Sequence, residues 1–391
     1  MKIQRTLPPA SAVVNFKKLY HGLLGSLSGS NYQGRLEEEI KEYFGVKHVF
    51  FVSSGKAALY LILKALQELS PCKNKVIVPA YTCFSVPSAI IKAGLKVTLC
   101  DIDPQTFDFD YGLLEKTMDK DTLCVIPTHL FGIPADMDRV IKLCRDKGIF
   151  VLEDAAQAMG GSYIGKLLGT IGDVGFFSLG RGKNITCGSG GIIVTNSDII
   201  ADTIKREYLF LKQPCLLEDI KELFLMVVLY IFSNPLLYWL PSGLPFLGLG
   251  ETIFYKDFSV KKMSGIKAGL LRYWQEELDY SNKARRENGL YLSNELRIEK
   301  NISTTYLRFP VLMKNSLAKT RAYSLSKERG LGISCMYPTP TNEIEEIKEQ
   351  FSDRLFPSAK LVSDRLITIP THHVVSEKDM ENASDLVRNL S

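Results

Sequence analysis

Two signatures are missing from this 391-residue chain. Its eight cysteines stand singly, with no Cys-x-x-Cys pair and no Cys/His cluster at zinc spacing, so they read as reduced, mostly buried thiols rather than a metal module. An excess of one charge is missing too. Forty-eight basic residues stand against 43 acidic ones, a scattered net charge of +5 that excludes a nucleic-acid footprint. No apolar run of signal-peptide length follows MKIQRTLPPA, so export is not indicated and a cytoplasmic location is expected. There is no internal repeat, heptad run or low-complexity tract.

What is present is a composition close to the soluble globular average, 46% apolar and 23% charged, in a chain long enough for two packed units. From residue 48 to about 195, short apolar runs alternate with helix-length amphipathic stretches, the rhythm of βαβ units. HVFFV (48–52), VIVP (76–79), KVTLC (96–100), LCVIPT (123–128), IFVLE (149–153), VGFFS (174–178) and GIIVT (191–195) are the expected strands. Ala57–Leu69 and Met137–Lys147 are two of the expected crossover helices. The fold class is therefore α/β, with a mainly parallel sheet flanked by helices. After residue 258 the pattern changes: a long helical stretch, Ile266–Arg286, precedes short strands at Arg308–Leu312, Ile333–Met336 and Leu366–Ile369. The expected division is an arm over 1–34, a large α/β domain over 35–212, an apolar insertion over 213–257 and a smaller α+β domain over 258–391.

The insertion contains 28 residues without a charge, Leu223 to Gly250. That length would cross a bilayer of roughly 30 Å, but Pro235, Pro241 and Pro245 break it. A helix–break–helix hairpin lying in one leaflet is the preferred reading, with Tyr230, Tyr238 and Trp239 at headgroup level. Lys205, Arg206, Lys212 and Lys221 before it, and Lys256, Lys261, Lys262 and Lys267 after it, put both ends on the cytoplasmic face. A buried dimer contact or core insertion is the plainer alternative.

Two segments carry chemistry. Glu153-Asp154-Ala-Ala-Gln157 ends a strand, and Ser178-Leu-Gly-Arg-Gly-Lys183 follows another, so both face the crevice beyond the carboxyl edge of the sheet. A lysine amine there can form an imine with a cofactor aldehyde, while a carboxylate keeps a pyridine nitrogen protonated and makes the ring an electron sink. Once displaced, Lys183 can serve as general acid/base. GRGKN is not a P-loop, because Phe177 and Asn184 stand where that motif needs glycine and Ser/Thr. Ser53-Ser54-Gly55-Lys56-Ala-Ala opens a helix after a strand, and its free N–H groups form a phosphate site to which Ser178 can add a hydroxyl. Taken singly, an aspartate after a strand is more often a helix cap, and a lysine in a Gly-rich loop is usually solvated.

The series SSGKAAL, VIVPAYTCFSVPSAI, DIDPQTFDFD, HLFGIPADMD, VLEDAAQAMGG, GDVGFFSLGRGKNIT and GSGGIIVTN, with GISCMYPTP and RLITIPTHHVVSEKDM downstream, resembles the DegT/StrS family of sugar aminotransferases. The resemblance covers most of 35–212 and 258–391. It implies a fold-type-I, pyridoxal-phosphate-dependent homodimer with both subunits lining each site. It assigns Lys183 to the Schiff base, Asp154 to the pyridine nitrogen, Gln157 to the phenolic oxygen, and Ser178, Gly55 and Lys56 to the phosphate. Lysine at 183, where dehydratase relatives carry histidine, favours amine transfer over deoxygenation. The chain departs from the family where Cys83 replaces the ring-stacking aromatic, leaving Phe84 or Tyr81 for that role, and where Lys56 replaces a threonine. The uncharged segment also stands where a polar partner-subunit contact usually lies.

His129, at a strand end near the crevice, is a candidate cofactor or substrate contact, and the His372-His373 pair reads as structural. Arg181 and Arg308 are candidate anion contacts. The expected reaction moves an amino group from glutamate to a keto-sugar, nucleotide-linked or lipid-linked, in cell-surface polysaccharide or glycoconjugate synthesis. A lyase or isomerase on the same scaffold, or a membrane-docked scaffold without turnover, are the alternatives.

Overall fold

Strands rich in Val, Ile and Phe, buried along nearly their whole length, are the mark of a sheet covered on both faces. The computed structural model describes residues 3–244, 252–298 and 304–390. Two helices, α1 (Phe16–Gly25) and α2 (Gly29–Phe44), come first. The alternating unit follows as β1 (His48–Val52), α3 (Gly55–Leu69), β2 (Lys75–Pro79), α4 (Ser85–Lys92), β3 (Lys96–Cys100), α5 (Tyr111–Thr117), β4 (Thr122–Val125), α6 (Met137–Arg145) and β5 (Phe150–Asp154). A short hairpin of β6 (Ser162–Tyr163) and β7 (Lys166–Leu167) precedes β8 (Val174–Ser178), β9 (Gly191–Thr195) and α7 (Asp198–Leu209). Next come α8 (Leu216–Phe232), α9 (Trp239–Ser242), α10 (Gly265–Leu270), α11 (Trp274–Leu296), β10 (Arg308–Leu312), α12 (Ser316–Arg329), α13 (Pro357–Arg365), β11 (Leu366–Pro370) and α14 (Glu377–Arg388).

Seven strands form one sheet in the order β1-β9-β8-β5-β4-β2-β3. β9 runs antiparallel to both its neighbours and the other pairs are parallel, so β1, β2, β4, β5 and β8 end at one edge. One apolar layer brings Leu59, Ile62 and Leu66 of α3 and Ile90 of α4 against this sheet. Another is built from Leu36, Ile40 and Phe44 of α2 with Ile266, Leu270 and Trp274. Trp274 lies edge-on to Tyr43 at 5.1 Å, and its indole N–H donates to Glu39 Oε2 at 3.0 Å. A separate core surrounds the antiparallel pair β10-β11, with Phe309, Val311, Ile367 and Ile369 from the strands and Ala383 and Leu386 from α14.

Several expectations shift. The stretch Ile266–Arg286 is two helices, broken at 271–273, and α10 with the first turns of α11 packs on the large sheet. The change of core therefore falls later than residue 258. The boundary at 34/35 falls inside α2, whose Gln33 donates to the Met263 carbonyl at 2.6 Å. Ile333–Met336 is not a strand. It contributes one bridge, Ser334 to Thr368, because Gly332 and Tyr337 take positive φ on either side. Close helix approach explains the glycines of α1 and α10: a Cβ on Gly25 would stand 2.2 Å from the Gly265 carbonyl oxygen.

The apolar insertion is partly core. α8 ends at Phe232, and the chain turns through Asn234-Pro235 into α9. Met226 is fully buried, and Leu223 and Leu229 pack beside it, while Leu217, Ile220, Phe224, Val227 and Ile231 share an exposed face. Tyr238 is half-buried, and burial raises its phenol above the ordinary tyrosine value. The part of the uncharged run over 245–250 lies outside the described residues. Among the described residues no helix is long and apolar enough to cross a membrane.

The N-terminal arm fastens these parts together. Thr6 N–H donates to the Pro235 carbonyl and Leu7 N–H to the Gly330 carbonyl, both at 2.8 Å. Arg285, fully buried, donates to the carbonyls of Ser11 at 2.8 Å and Leu307 at 2.7 Å. His372 Nε2 donates to the Pro8 carbonyl at 2.8 Å. Burial, and secondarily the Arg285 charge, push the His372 imidazole down to about 3. An unfolded chain takes up that proton near pH 6.5, so the stability contributed by neutral His372 is lost as pH falls below 6.5 towards the folded value. We expect a loss on the order of 2 kcal/mol from this residue between pH 6.5 and pH 5, read as a falling urea midpoint. His372→Gln should flatten that slope, and equal slopes in the two chains would refute the assignment.

Candidate active site

The shared carboxyl edge gathers side chains that are far apart in sequence. Asp154 is the last residue of β5, paired in register with Phe176 of β8, and Ser178 ends β8 two residues later. Gly55 opens α3 after β1 at the same edge. A Cβ built on Gly55 would lie 2.9 Å from Ser178 Cβ and 3.1 Å from its hydroxyl, so glycine is what lets the helix start approach the strand end. Ser54 caps α3 by accepting from Ala57 N–H at 3.1 Å, and its carbonyl takes Ala58 N–H at 3.0 Å. Gly55 and Lys56 keep their N–H groups without an acceptor among the described residues, at the positive end of a fifteen-residue helix.

Lys183 sits half-buried in the loop after β8, its N–H bonded to the Gly180 carbonyl at 3.1 Å. Burial lowers its amine below the ordinary lysine range. The Cys83 thiol and Asp154 oppose that shift, and Arg308 adds to it. Burial pushes the Asp154 carboxyl up, against the Ala156 N–H that donates to Oδ1 at 3.0 Å and against the Lys183 charge. The two are electrostatic neighbours in one desolvated crevice. Such burial-driven shifts beside a charged partner are common at sites of proton transfer and nucleophilic attack.

Gln157 is also here, buried, with Oε1 accepting from Phe131 N–H at 3.2 Å and Nε2 donating to the Tyr337 hydroxyl at 3.0 Å. Tyr337 was not singled out from the sequence. Its φ of 37°, unusual for an aromatic residue, turns a side chain of the GISCMYPTP segment under the crevice, where burial raises its phenol well above 10. Nothing in the local pattern marks that backbone choice.

Other expected residues take different places. Phe84 is 6% exposed and faces the Tyr337 ring, with centroids 6.4 Å apart and 23° between planes. As the residue capping α4 it is drawn into the large-sheet core, which Tyr337 also joins. Tyr81 is buried too, its hydroxyl donating to the Met336 carbonyl. The Lys56 ammonium lies over the rings of Tyr255, at 4.4 Å, and Phe258, at 5.0 Å, so only its backbone faces the helix start.

His129 offers no free nitrogen. Nε2 is 3.0 Å from Glu153 Oε2, and Nδ1 accepts Ala135 N–H at 3.1 Å. Glu153 in turn accepts from the N–H groups of Gly169 at 2.7 Å, Gly172 at 2.6 Å and Ile171, so this buried pair holds the loop that leads into β8. Arg181 is exposed, and Arg308 is half-buried.

The sequence model of the DegT/DnrJ/EryC1/StrS aminotransferase family matches residues 21–221, just over half of the chain. An uncharacterized protein of Methanocaldococcus jannaschii, MJ1066, is 26% identical over 91% of this chain and 89% of its own length. GDP-perosamine synthase of Caulobacter vibrioides is 38% identical over 42% of this chain, and the match spans 44% of that enzyme. Among solved structures, a putative sugar aminotransferase of Streptococcus pneumoniae, Spr1654 in its PLP form, superposes with a TM-score of 0.77. The superposition covers 99% of this chain and 100% of that one at 18% identity, a likeness of fold. With the family pattern matched through the stretch that carries Gly55, Asp154 and Lys183, the chain belongs to the DegT/DnrJ/EryC1/StrS aminotransferase family.

Proposed function

We propose that the chain transfers an amino group from glutamate to a keto group of a sugar, with pyridoxal phosphate as cofactor. The observation that carries this reading is the convergence, beyond one sheet edge, of the Lys183 amine, the Asp154 carboxylate and an unpartnered helix start beside Ser178. The cradle fits the group: two N–H groups and a hydroxyl suit a phosphate, and the buried carboxylate suits a pyridinium. When bound, the cofactor supplies an aldehyde for amine exchange and a ring that accepts electrons.

The residues then divide the work. Gly55 and Lys56 N–H and the Ser178 hydroxyl hold the phosphate. Asp154, kept out of water, stabilises a protonated ring nitrogen by charge. Gln157 would hold the phenolic oxygen through the Nε2 that here donates to Tyr337. Lys183, with its amine lowered by burial, is the nucleophile and afterwards moves the proton at the substrate carbon. Phe84 would act indirectly, by packing against Tyr337, whose hydroxyl is bonded to Gln157.

Family membership and similarity to GDP-perosamine synthase support a sugar acceptor, which in this reading is nucleotide-linked or lipid-linked, and similarity to the spore coat polysaccharide biosynthesis protein SpsC of Bacillus subtilis supports a context of cell-surface polysaccharide or glycoconjugate synthesis. A homodimer is part of the same reading. Lys183→Ala should remove the visible absorbance of bound cofactor and lower glutamate-dependent transfer by about 10²–10⁴-fold. Unchanged absorbance and transfer would defeat the assignment. Release of 2-oxoglutarate in step with sugar amination separates this reaction from a lyase or isomerase.

We also propose that the enzyme docks on the cytoplasmic face of a membrane through α8. Its exposed face presents Leu217 (78% exposed), Phe224 (67%) and Ile231 (43%), and neighbouring α1 exposes Phe16, Tyr20 and Leu23 at helical spacing, with Leu27 exposed just beyond it. Exposed Lys205, Lys212, Lys221 and Lys256 suit anionic headgroups. Wild-type protein should float with vesicles containing phosphatidylserine, and a Phe224→Glu/Ile231→Glu variant should stay behind. If both stay behind and the variant instead turns from dimer to monomer, the face is a subunit interface and the membrane reading fails.

A further inference from the structure

Two ammonium groups flank the ring of Phe258, and one of them lacks a carboxylate. Lys92 Nζ lies 5.1 Å from that ring and pairs with Asp257. Lys56 Nζ lies 5.0 Å from the same ring and 4.4 Å from that of Tyr255, and no hydrogen bond or ion pair engages it among the described residues. Its side chain is half-buried, and burial lowers its amine below the ordinary lysine range. The rings attract the charge without replacing the three hydrogen bonds that an ammonium gives up on leaving water. Lys56 therefore keeps its donors for an acceptor that the protein does not supply.

The surroundings aim that ammonium at the crevice. The Cys83 thiol acts electrostatically on Lys56 and on Lys183 alike, and it is hydrogen-bonded to the Tyr337 phenol, which in turn takes Gln157 Nε2. Both lysine amines thus border one side chain at the centre of the site. The wall that carries the rings is fixed: the Ser88 hydroxyl donates to the Tyr255 carbonyl, and Ser53 N–H donates to the Lys261 carbonyl at 2.9 Å. The ammonium is held there by the two rings while its backbone stays at the start of α3.

The length of the donor says which anion fits. The cofactor phosphate has other partners in the proposed arrangement, the two N–H groups and the Ser178 hydroxyl. A glutamate whose α-carbon comes to the Lys183 amine carries a second carboxylate about 5 Å farther on by covalent geometry alone. Two methylenes lead to it, and they suit a wall of aromatic rings. We infer that the Lys56 ammonium binds the side-chain carboxylate of the amino donor, which makes Lys56 the residue that selects an acidic donor over a neutral one. This rests on the proposed glutamate-dependent transfer.

The test uses cofactor-loaded enzyme and two α-methyl amino acids, which lack the hydrogen whose removal transfer requires. 2-Methylglutamate carries the side-chain carboxylate and isovaline does not. Calorimetric titration should show 2-methylglutamate binding at least about tenfold more weakly to Lys56→Met than to wild type, with Lys56→Arg restored to within about threefold. Isovaline should bind the three chains with affinities within about threefold of one another. Titration with pyridoxal phosphate, read by its visible absorbance, should give similar affinities in all three. Equal 2-methylglutamate affinity in wild type and Lys56→Met overturns the inference alone, and so does a failure of Lys56→Arg to restore it. A weakened cofactor affinity also overturns it, because the ammonium then serves the cofactor phosphate. Parallel losses for both amino acids mark a structural role and have the same consequence. A wild type whose cofactor absorbance does not respond to glutamate overturns the donor reading itself.

Discussion

A lysine amine and a carboxylate share one poorly hydrated crevice without forming an ion pair, and most of the fold keeps them there. Two desolvated charges would ordinarily close on each other or change protonation. Here Asp154 is fixed at a strand end and held by Ala156 N–H, while Lys183 rides on a loop anchored at Gly180 and touched from behind by Arg285. The buried Glu153–His129 pair acts one layer below, fastening the loop before β8 so that neighbouring strands end in register.

The smaller unit and the arm are part of this arrangement. Tyr337 and Arg308 come from beyond residue 300 yet face Gln157 and Gly182. The arm crosses both units, bonded to Pro235, Gly330, Arg285 and His372. The apolar insertion joins them by burying Met226 in the core, while its other face stays exposed. A sequence run that looks uniformly apolar thus serves two surroundings, because a helix turns successive residues to different sides.

Local pattern was a sound guide where a residue's environment depends on its neighbours in sequence. The seven strands of the large sheet, the helix start at Gly55 and the edge positions of Asp154, Ser178 and Lys183 all follow from apolar runs punctuated by Gly and Ser. It misled where distant packing intervened. Cys83 suggested that Phe84 would replace a stacking ring, but Phe84 belongs to the core beneath Tyr337. His129 had the composition of a ligand contact, and both its nitrogens are committed to Glu153 and Ala135. The division expected at 258 failed for the same reason, since Met263, Ile266 and Trp274 find their apolar partners on the large sheet.

The amino-acid sequence by itself determined the parallel α/β architecture, the family, and the identity of the amine and carboxylate at the sheet edge. These depend on periodicity and on residues beside strand ends, which the chain carries locally. Tertiary structure alone decided that Tyr337 rather than Phe84 adjoins Gln157, that Arg285 is held by three carbonyls and the Ser281 hydroxyl, and which face of α8 is buried. Hydrogen-bond saturation and burial are sums over partners hundreds of residues apart, and no local pattern contains them.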